Sequence, residues 1–156
     1  MTNLTITIHS TAYPELRRQI HEAIKEFNNQ HSPAHKEARL TGIDPLDIFV
    51  YEGKNQLVGA LVADTYWGWL DIDDLWLHEY YRRQGLGTRL LETAEKEARR
   101  RGCRRAVVKT FSFQARGFYE KNGYRVTGRL DDYPPGESLY WMVKDILSLP
   151  SQISPV

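Results

Sequence analysis

Two stretches of this 156-residue chain hold residue types at spacings that chemistry can use. The first reads Leu75-Trp76-Leu77-His78-Glu79-Tyr80-Tyr81-Arg82-Arg83-Gln84-Gly85-Leu86-Gly87-Thr88. Apolar residues of a strand give way to two arginines and two glycines, and a helical apolar stripe follows. Glycine lets the backbone approach a ligand closely, and the N–H groups of a first helical turn have no partners inside the helix. With the helix dipole they make a seat for an anion, and a pyrophosphate fits it. Spacing excludes two common phosphate binders. A G-x-G-x-x-G turn needs glycine at position 90, where Leu90 stands, and a P-loop needs Gly-Lys-Ser/Thr, which is absent.

What remains, Arg82-x-x-Gly85-x-Gly87, resembles the R/Q-x-x-G-x-G/A signature of the GNAT acetyltransferases. The second stretch, Thr110-Phe111-Ser112-Phe113-Gln114-Ala115-Arg116-Gly117-Phe118-Tyr119-Glu120-Lys121-Asn122-Gly123-Tyr124, is similar to their motif B, N-x-x-A-x-x-x-Y-x-K-x-G-F. Ala115, Tyr119, Lys121, Gly123 and the aromatic Tyr124 match it, while Ser112 replaces the usual Asn. The resemblance spans residues 48–144. It implies a GNAT-like α/β fold, in which a mostly antiparallel, splayed central sheet is flanked by helices on both faces. It also implies acetyl-CoA as cosubstrate, no metal, and transfer of the acetyl group to a primary amine of a small molecule or protein by direct attack in a ternary complex. Arg82, Arg83, Gln84, Gly85, Leu86, Gly87 and Thr88 would hold the pyrophosphate. The backbone of Leu75, Trp76 and Leu77 would pair with the pantetheine amides and give an N–H to the thioester oxygen, and Ser112 takes the place of the Asn beside that arm. A non-catalytic acetyl-CoA sensor is the alternative, and Tyr119 argues against it.

Acyl transfer to an amine needs a base for the ammonium proton and an acid for the departing thiolate. Asp71, Asp73 and Asp74 are the candidate bases, on the strand that leads into the glycine turn. Strand alternation puts Asp71 and Asp73 on one face and Asp74 on the other. Tyr119 is the expected general acid, because a phenol with a pKa of about 10 keeps its proton at neutral pH. Consecutive helical residues diverge by about 100°, so Phe118 is expected in the core and Tyr119 toward the cofactor cleft. Tyr66, Trp67, Trp69, Trp76, Tyr80 and Tyr81 could line a cationic acceptor, although most are expected to pack the sheet.

These residues need elements to position them. Alternation over residues 4–9 predicts a strand and the spacing of Leu16, Ile20, Ala23, Ile24 and Phe27 an amphipathic helix; residues 31–45 read as a loop or short irregular helix. Strands are expected at 48–51, 56–66 and 69–77, with reversals at 52–55 and at Trp67-Gly68. Leu90, Leu91, Ala94 and Ala98 mark a helix ended by Gly102, with Glu92, Glu95, Lys96, Arg99 and Arg100 on its other side. A strand at 105–110, a helix at 114–121 and a strand pair at 124–130 and 139–144 complete a β-α-β-β-β-α-β-α-β-β order and a mixed sheet. Residues 1–147 are expected to form one domain and 148–156 a mobile tail.

Composition narrows the function further. Twenty-one Lys and Arg against 20 Asp and Glu leave a net charge of +1, too little for a general grip on nucleic acid or anionic membrane. The arginines at 99, 100, 101, 104 and 105 are dense, but the first three complement a helix C-terminus. No apolar run reaches membrane-span length, residues 1–8 lack an export pattern, and a lone Cys103 suits the cytoplasm. His9, His21, His31, His35 and His78 show no metal-ligand spacing. A homodimer is compatible with this reading.

Overall fold

Proline at a first helical position has a φ already suited to the helix, and both N-terminal helices begin this way: α1 (Pro14–His31) and α2 (Pro33–Thr41). Ser32 separates them. Its N–H closes α1 onto the carbonyl of Asn28, and its hydroxyl accepts the N–H of His35 to cap α2. The computed structural model describes residues 4–147, in two compact units, Met1–Gly42 and Ile43–Val156. The expected mobile tail, 148–156, lies outside the described residues.

The strand expected at residues 4–9 is not present. Alternating side chains give a segment the capacity to be a strand, but only a ladder partner makes it one, and alternation by itself supplies none. The 31–45 region resolves into α2 and a two-residue strand.

In the second unit the strands are β1 (Asp44–Pro45), β2 (Ile48–Glu52), β3 (Gln56–Tyr66), β4 (Trp69–Leu77), β5 (Arg105–Phe111), β6 (Arg125–Asp131) and β7 (Ser138–Asp145), with α3 (Leu86–Arg100) and α4 (Arg116–Lys121) between them. The sheet order is β1-β3-β4-β5-β7-β6, and β2 also pairs with β3. β4 and β5 run parallel; the other pairs are antiparallel. The α3 stripe, Leu90, Leu91, Ala94 and Ala98, closes over Leu61, Leu70, Ile72, Val108 and Met142 as one buried cluster. Each large aliphatic side chain enclosed there contributes roughly 1.5–3 kcal/mol of transfer free energy.

Between β3 and β4, Trp67 and Gly68 both have positive φ, 51° and 77°. A two-residue hairpin turn of this hand follows the twist of the strands, but asparagine and glycine suit it, and the left-handed backbone costs a bulky residue on the order of 1–2 kcal/mol.

α3 and α4 end alike. The N–H of Cys103 reaches the carbonyl of Ala98 and that of Gly102 the carbonyl of Arg99; the N–H of Tyr124 reaches Tyr119 and that of Gly123 reaches Glu120. Each is a helix stop that needs a left-handed residue, supplied by Gly102 and Gly123, both at φ 86°.

Candidate active site

The sheet opens where the chemistry was expected. β4 and β5 pair from Trp69 with Arg105 to Ile72 with Val108 and no further. Beyond that point β4 stays with β3 as far as Leu77, and β5 stays with β7 as far as Phe111. The edges of residues 73–77 and 109–111 that face each other therefore have unpaired backbone N–H and C=O groups along a cleft, the feature an extended amide-bearing ligand can complete.

A β-bulge marks the start of the cleft. Ala63 lies opposite Ile72 and Val62 opposite Asp74, so Asp73 is an extra residue on β4. This corrects the expected alternation of the aspartates: Leu70 and Ile72 face the core before the bulge, and Leu75 and Leu77 pack against it afterwards. Asp73 and Asp74 lie between, both exposed.

The three aspartates have different surroundings. Asp71 faces Asp64 across the β3–β4 pair and accepts the Tyr66 hydroxyl at 2.6 Å, which pushes the phenol up to about 12. Asp73 is held above the usual carboxylate range, first by partial desolvation, then by the charges of Asp71, Asp64 and Asp74, with Lys109 opposing. Asp74 acts electrostatically on Tyr119.

Past β4, a short 3-10 helix (Glu79–Tyr81) leads into the glycine turn. Arg82 donates through Nε to the carbonyl of Leu77 at 3.0 Å, and Gln84 donates to the carbonyl of Tyr80 at 2.6 Å, so both anchor the turn to the strand end. Gly85, at φ 80°, is the N-cap of α3; no side chain caps this helix, and a Cβ on Gly85 would point into open space. An uncapped helix start with room in front of it fits a pyrophosphate, and the nearby Arg82 and Arg83 have the charge to complement one. Gly87 has a different reason to be small: a Cβ there would lie 3.1 Å from the Phe118 ring and 3.6 Å from Leu77, so it lets α3 settle against α4 and β4.

Tyr119 is 5% exposed, more enclosed than its neighbour Phe118. Burial, and then the charge of Asp74, pushes its phenol up to about 12, so it stays protonated well above neutral pH. Its ring meets Tyr124 edge-on at 5.5 Å, across the helix stop at Gly123. Tyr124 in turn donates to Glu95 at 3.2 Å, and Lys144 grips both Glu95 oxygens at 2.9 and 2.7 Å. Glu95 is 4% exposed, not on the solvent side of α3 where sequence placed it. The missed signal is its spacing: four residues after Leu91 and three before Ala98, it falls on the apolar stripe.

Ser112 lies just past β5, where its hydroxyl donates to the Glu137 carboxylate and accepts the N–H of Ser138 at 3.0 Å. The aromatic residues do not form one surface. Tyr66, Trp67 and Trp69 cluster around the β3–β4 turn, whereas Trp76, Tyr80 and Tyr81 follow the far end of β4. Among the described residues no group of three or more His, Cys, Asp or Glu could hold a metal ion, and no helix is long and apolar enough to cross a membrane.

Comparison with known proteins agrees with this geometry. Residues 13–124 match the model described as the acetyltransferase (GNAT) family. Blasticidin-S acetyltransferase of Streptomyces morookaense is 37% identical over 130 residues, covering 79% of this chain and 96% of the relative. An acetyltransferase of Agrobacterium fabrum is 37% identical over 99 residues, 64% of this chain and 72% of the relative. The crystal structure of an acetyltransferase from Bacillus cereus superposes with a TM-score of 0.76 at 27% identity, covering 89% of this chain and 97% of that one.

Proposed function

Since the chain belongs to the acetyltransferase (GNAT) family and is an N-acetyltransferase that draws on acetyl-CoA, we propose that its acceptor is a small cationic primary amine, acetylated in the cleft between β4 and β5. The observation that carries this reading is the facing pair of carboxylates, Asp64 and Asp71, beside Asp73 and Asp74 at the mouth of the cleft. Like charges placed directly opposite each other across a sheet are unfavourable, and a bound cation relieves that repulsion. The blasticidin-S relative supports a small-molecule acceptor.

In this reading residues 82–88 and the first N–H groups of α3 hold the pyrophosphate, and the open edge of residues 75–77 aligns the pantetheine arm. Acetyl-CoA supplies an acyl group activated as a thioester. Asp73, whose raised pKa makes it a stronger base than an ordinary carboxylate, accepts a proton from the acceptor ammonium, directly or through water. Tyr119 keeps a proton on its phenolic oxygen for the departing sulfur. The Ser112 hydroxyl, shared with Glu137 and Ser138, ties the pantetheine side of the cleft to β7. Because the family match runs through both compact units, we read residues 1–147 as one working domain. The single cysteine, Cys103, buried and free, supports a cytoplasmic setting.

The test is release of free thiol from acetyl-CoA with a panel of amines that includes blasticidin S, small diamines and neutral amines of matched size. Cationic small amines are expected to turn over fastest. If acetyl-CoA raises the Tm but no amine releases thiol, the acceptor reading fails. If neutral amines react as well as cations, the carboxylate argument fails.

A further inference from the structure

Strand register sorts the side chains along the cleft into two faces. Leu70 is level with Ala106 and Ile72 with Val108, all four in the core, so Asp71, level with Val107, is on the opposite face, and Asp64 across from it shares that face. On β5 the buried Thr110 belongs to the core side, which leaves Lys109 and Phe111 on the face of the aspartates. Past the bulge, Trp76 stands between the inward Leu75 and Leu77 and so lies on that face too, on the other bank of the cleft. Phe111 is two residues beyond Lys109, about 7 Å at strand rise, and Lys109 is near enough to Asp73 to act on its charge. Phe113 stacks on Phe111, with ring centres 5.1 Å apart and planes at 8°. It is 60% exposed, and among the described residues Phe111 is its only ring or cation partner, so its outer face is open. The turn that carries it is pinned on both sides. The Ser112 N–H donates to the carbonyl of Ser138 at 2.8 Å, its hydroxyl accepts the N–H of Ser138, and the Ala115 N–H donates to Thr110 Oγ1 at 3.3 Å.

We propose that the cleft selects an amine joined by a short chain to a flat, uncharged ring, with the ammonium at the aspartates and the ring stacked on the outer face of Phe113. The proposal rests on the cationic-acceptor reading above and narrows it to one chemical class. Asp64, Asp71 and Asp73 outnumber the single ammonium of Lys109, so their end of the cleft attracts a cation. Lys109 stands between those carboxylates and Phe111, so a second cation at the far end of the ligand would meet like charge, whereas a neutral ring does not. An aromatic face held open on a pinned turn is already in place for stacking, and little freedom remains to be lost when a ring binds. Offset or edge-on contact between rings gains about 3- to 10-fold in affinity beyond the area it buries. A saturated ring of the same size lacks that gain, which separates stacking on Phe113 from apolar burial in general.

The test uses 4-phenylbutylamine, 4-cyclohexylbutylamine and n-hexylamine, which present the same ammonium with a flat ring, a saturated ring and no ring. Each is titrated calorimetrically into the full chain with coenzyme A saturating, and its acetylation is followed by thiol release from acetyl-CoA. The flat ring is expected to bind about 3- to 10-fold more tightly than the saturated one, and hexylamine more weakly than either. Phe113→Leu, at an exposed position, should abolish the preference for the flat over the saturated ring, and Phe113→Trp should keep or widen it. Equal affinity for the two rings in the parent would overturn the inference, as would a preference that survives in Phe113→Leu or no binding of 4-phenylbutylamine at millimolar concentration. A loss of coenzyme A affinity in Phe113→Leu would also overturn it, by assigning the ring to the adenine of the donor. Binding that depends on Phe113 but leads to no thiol release would uphold the ring site and sink the acceptor reading, so the two fail separately.

Discussion

Lys144→Met removes one charge from the most enclosed ion pair described in the molecule. Lys144 holds both oxygens of Glu95, whose side chain is 5% accessible, against 26% for the lysine. Methionine keeps the aliphatic stem that lies against Gly123 and deletes only the ammonium. Glu95 would then be left with the Tyr124 hydroxyl at 3.2 Å as its remaining donor. Removing one partner of a buried pair costs about 3–5 kcal/mol, mostly the penalty of the stranded charge. Because a quarter of Lys144 is open to solvent, water can reach part of the site, and the lower end, about 3 kcal/mol, is expected. For a domain of this size that corresponds to a fall in Tm of about 6–12 °C. Urea unfolding followed by far-UV circular dichroism measures the loss, and the double variant Glu95→Gln/Lys144→Met completes the cycle. The double variant should recover at least about 1 kcal/mol relative to the sum of the singles. A loss below about 1 kcal/mol in Lys144→Met, or strict additivity in the double, would show that the pair does not act as a buried unit.

Tyr119→Phe should lower the single-turnover rate of acetyl transfer by about 10²–10⁴ while leaving acetyl-CoA binding intact; an unchanged rate in a folded, saturated variant would remove Tyr119 from the chemistry. Asp73→Asn should slow transfer and abolish the acid limb of the pH–rate profile, which in the parent should lie above the ordinary carboxylate range because the base is lost as pH falls through a raised pKa. The folded chain holds the phenolic protons of Tyr66, through donation to Asp71, Tyr81, through donation to Glu52, and Tyr119, through burial, more tightly than the unfolded chain does, each with a pKa of about 12 against 10.0. Their contribution to stability is therefore complete below about pH 10 and lost between about pH 10 and 12, so the urea midpoint should fall across that window, and less so in Tyr66→Phe.

Local signals carried much of the fold. The glycine stop at 102 and the stripe of α3 depend on neighbouring residues, and α3, α4 and most strands formed within a residue or two of expectation, whereas α1 runs on to His31, four residues past Phe27, and α2 forms where a loop or short irregular helix was expected. Pairing is a different matter. Whether residues 4–9 form a strand depends on a partner elsewhere in the chain, and alternation could not supply one. The bulge at Asp73 has no sequence mark of its own, because it is defined by what β3 places opposite. The glycine turn was read as an anion seat from its residues alone; that the ring of Phe118 also requires Gly87 to be small depends on packing between α3 and α4 that the sequence does not display. Glu95 was misread because a charged residue suggests solvent, although its position on the stripe indicated burial.

The extra residue in β4 also gives meaning to the count of residues in that strand. With Asp73 in place, Leu75 and Leu77 point the same way as Leu70 and Ile72 even though the numbers change from even to odd. Pairing the same residues in strict alternation, without the bulge, would turn the two leucines toward water and Asp74 and Trp76 toward the core, whereas deleting Asp73 would leave the leucines facing inward. Substitutions along this strand would be graded in their effect. An insertion of one residue between Asp74 and Leu75 would be all or nothing, since the stretch that lines the cleft is aimed by its length as much as by its composition.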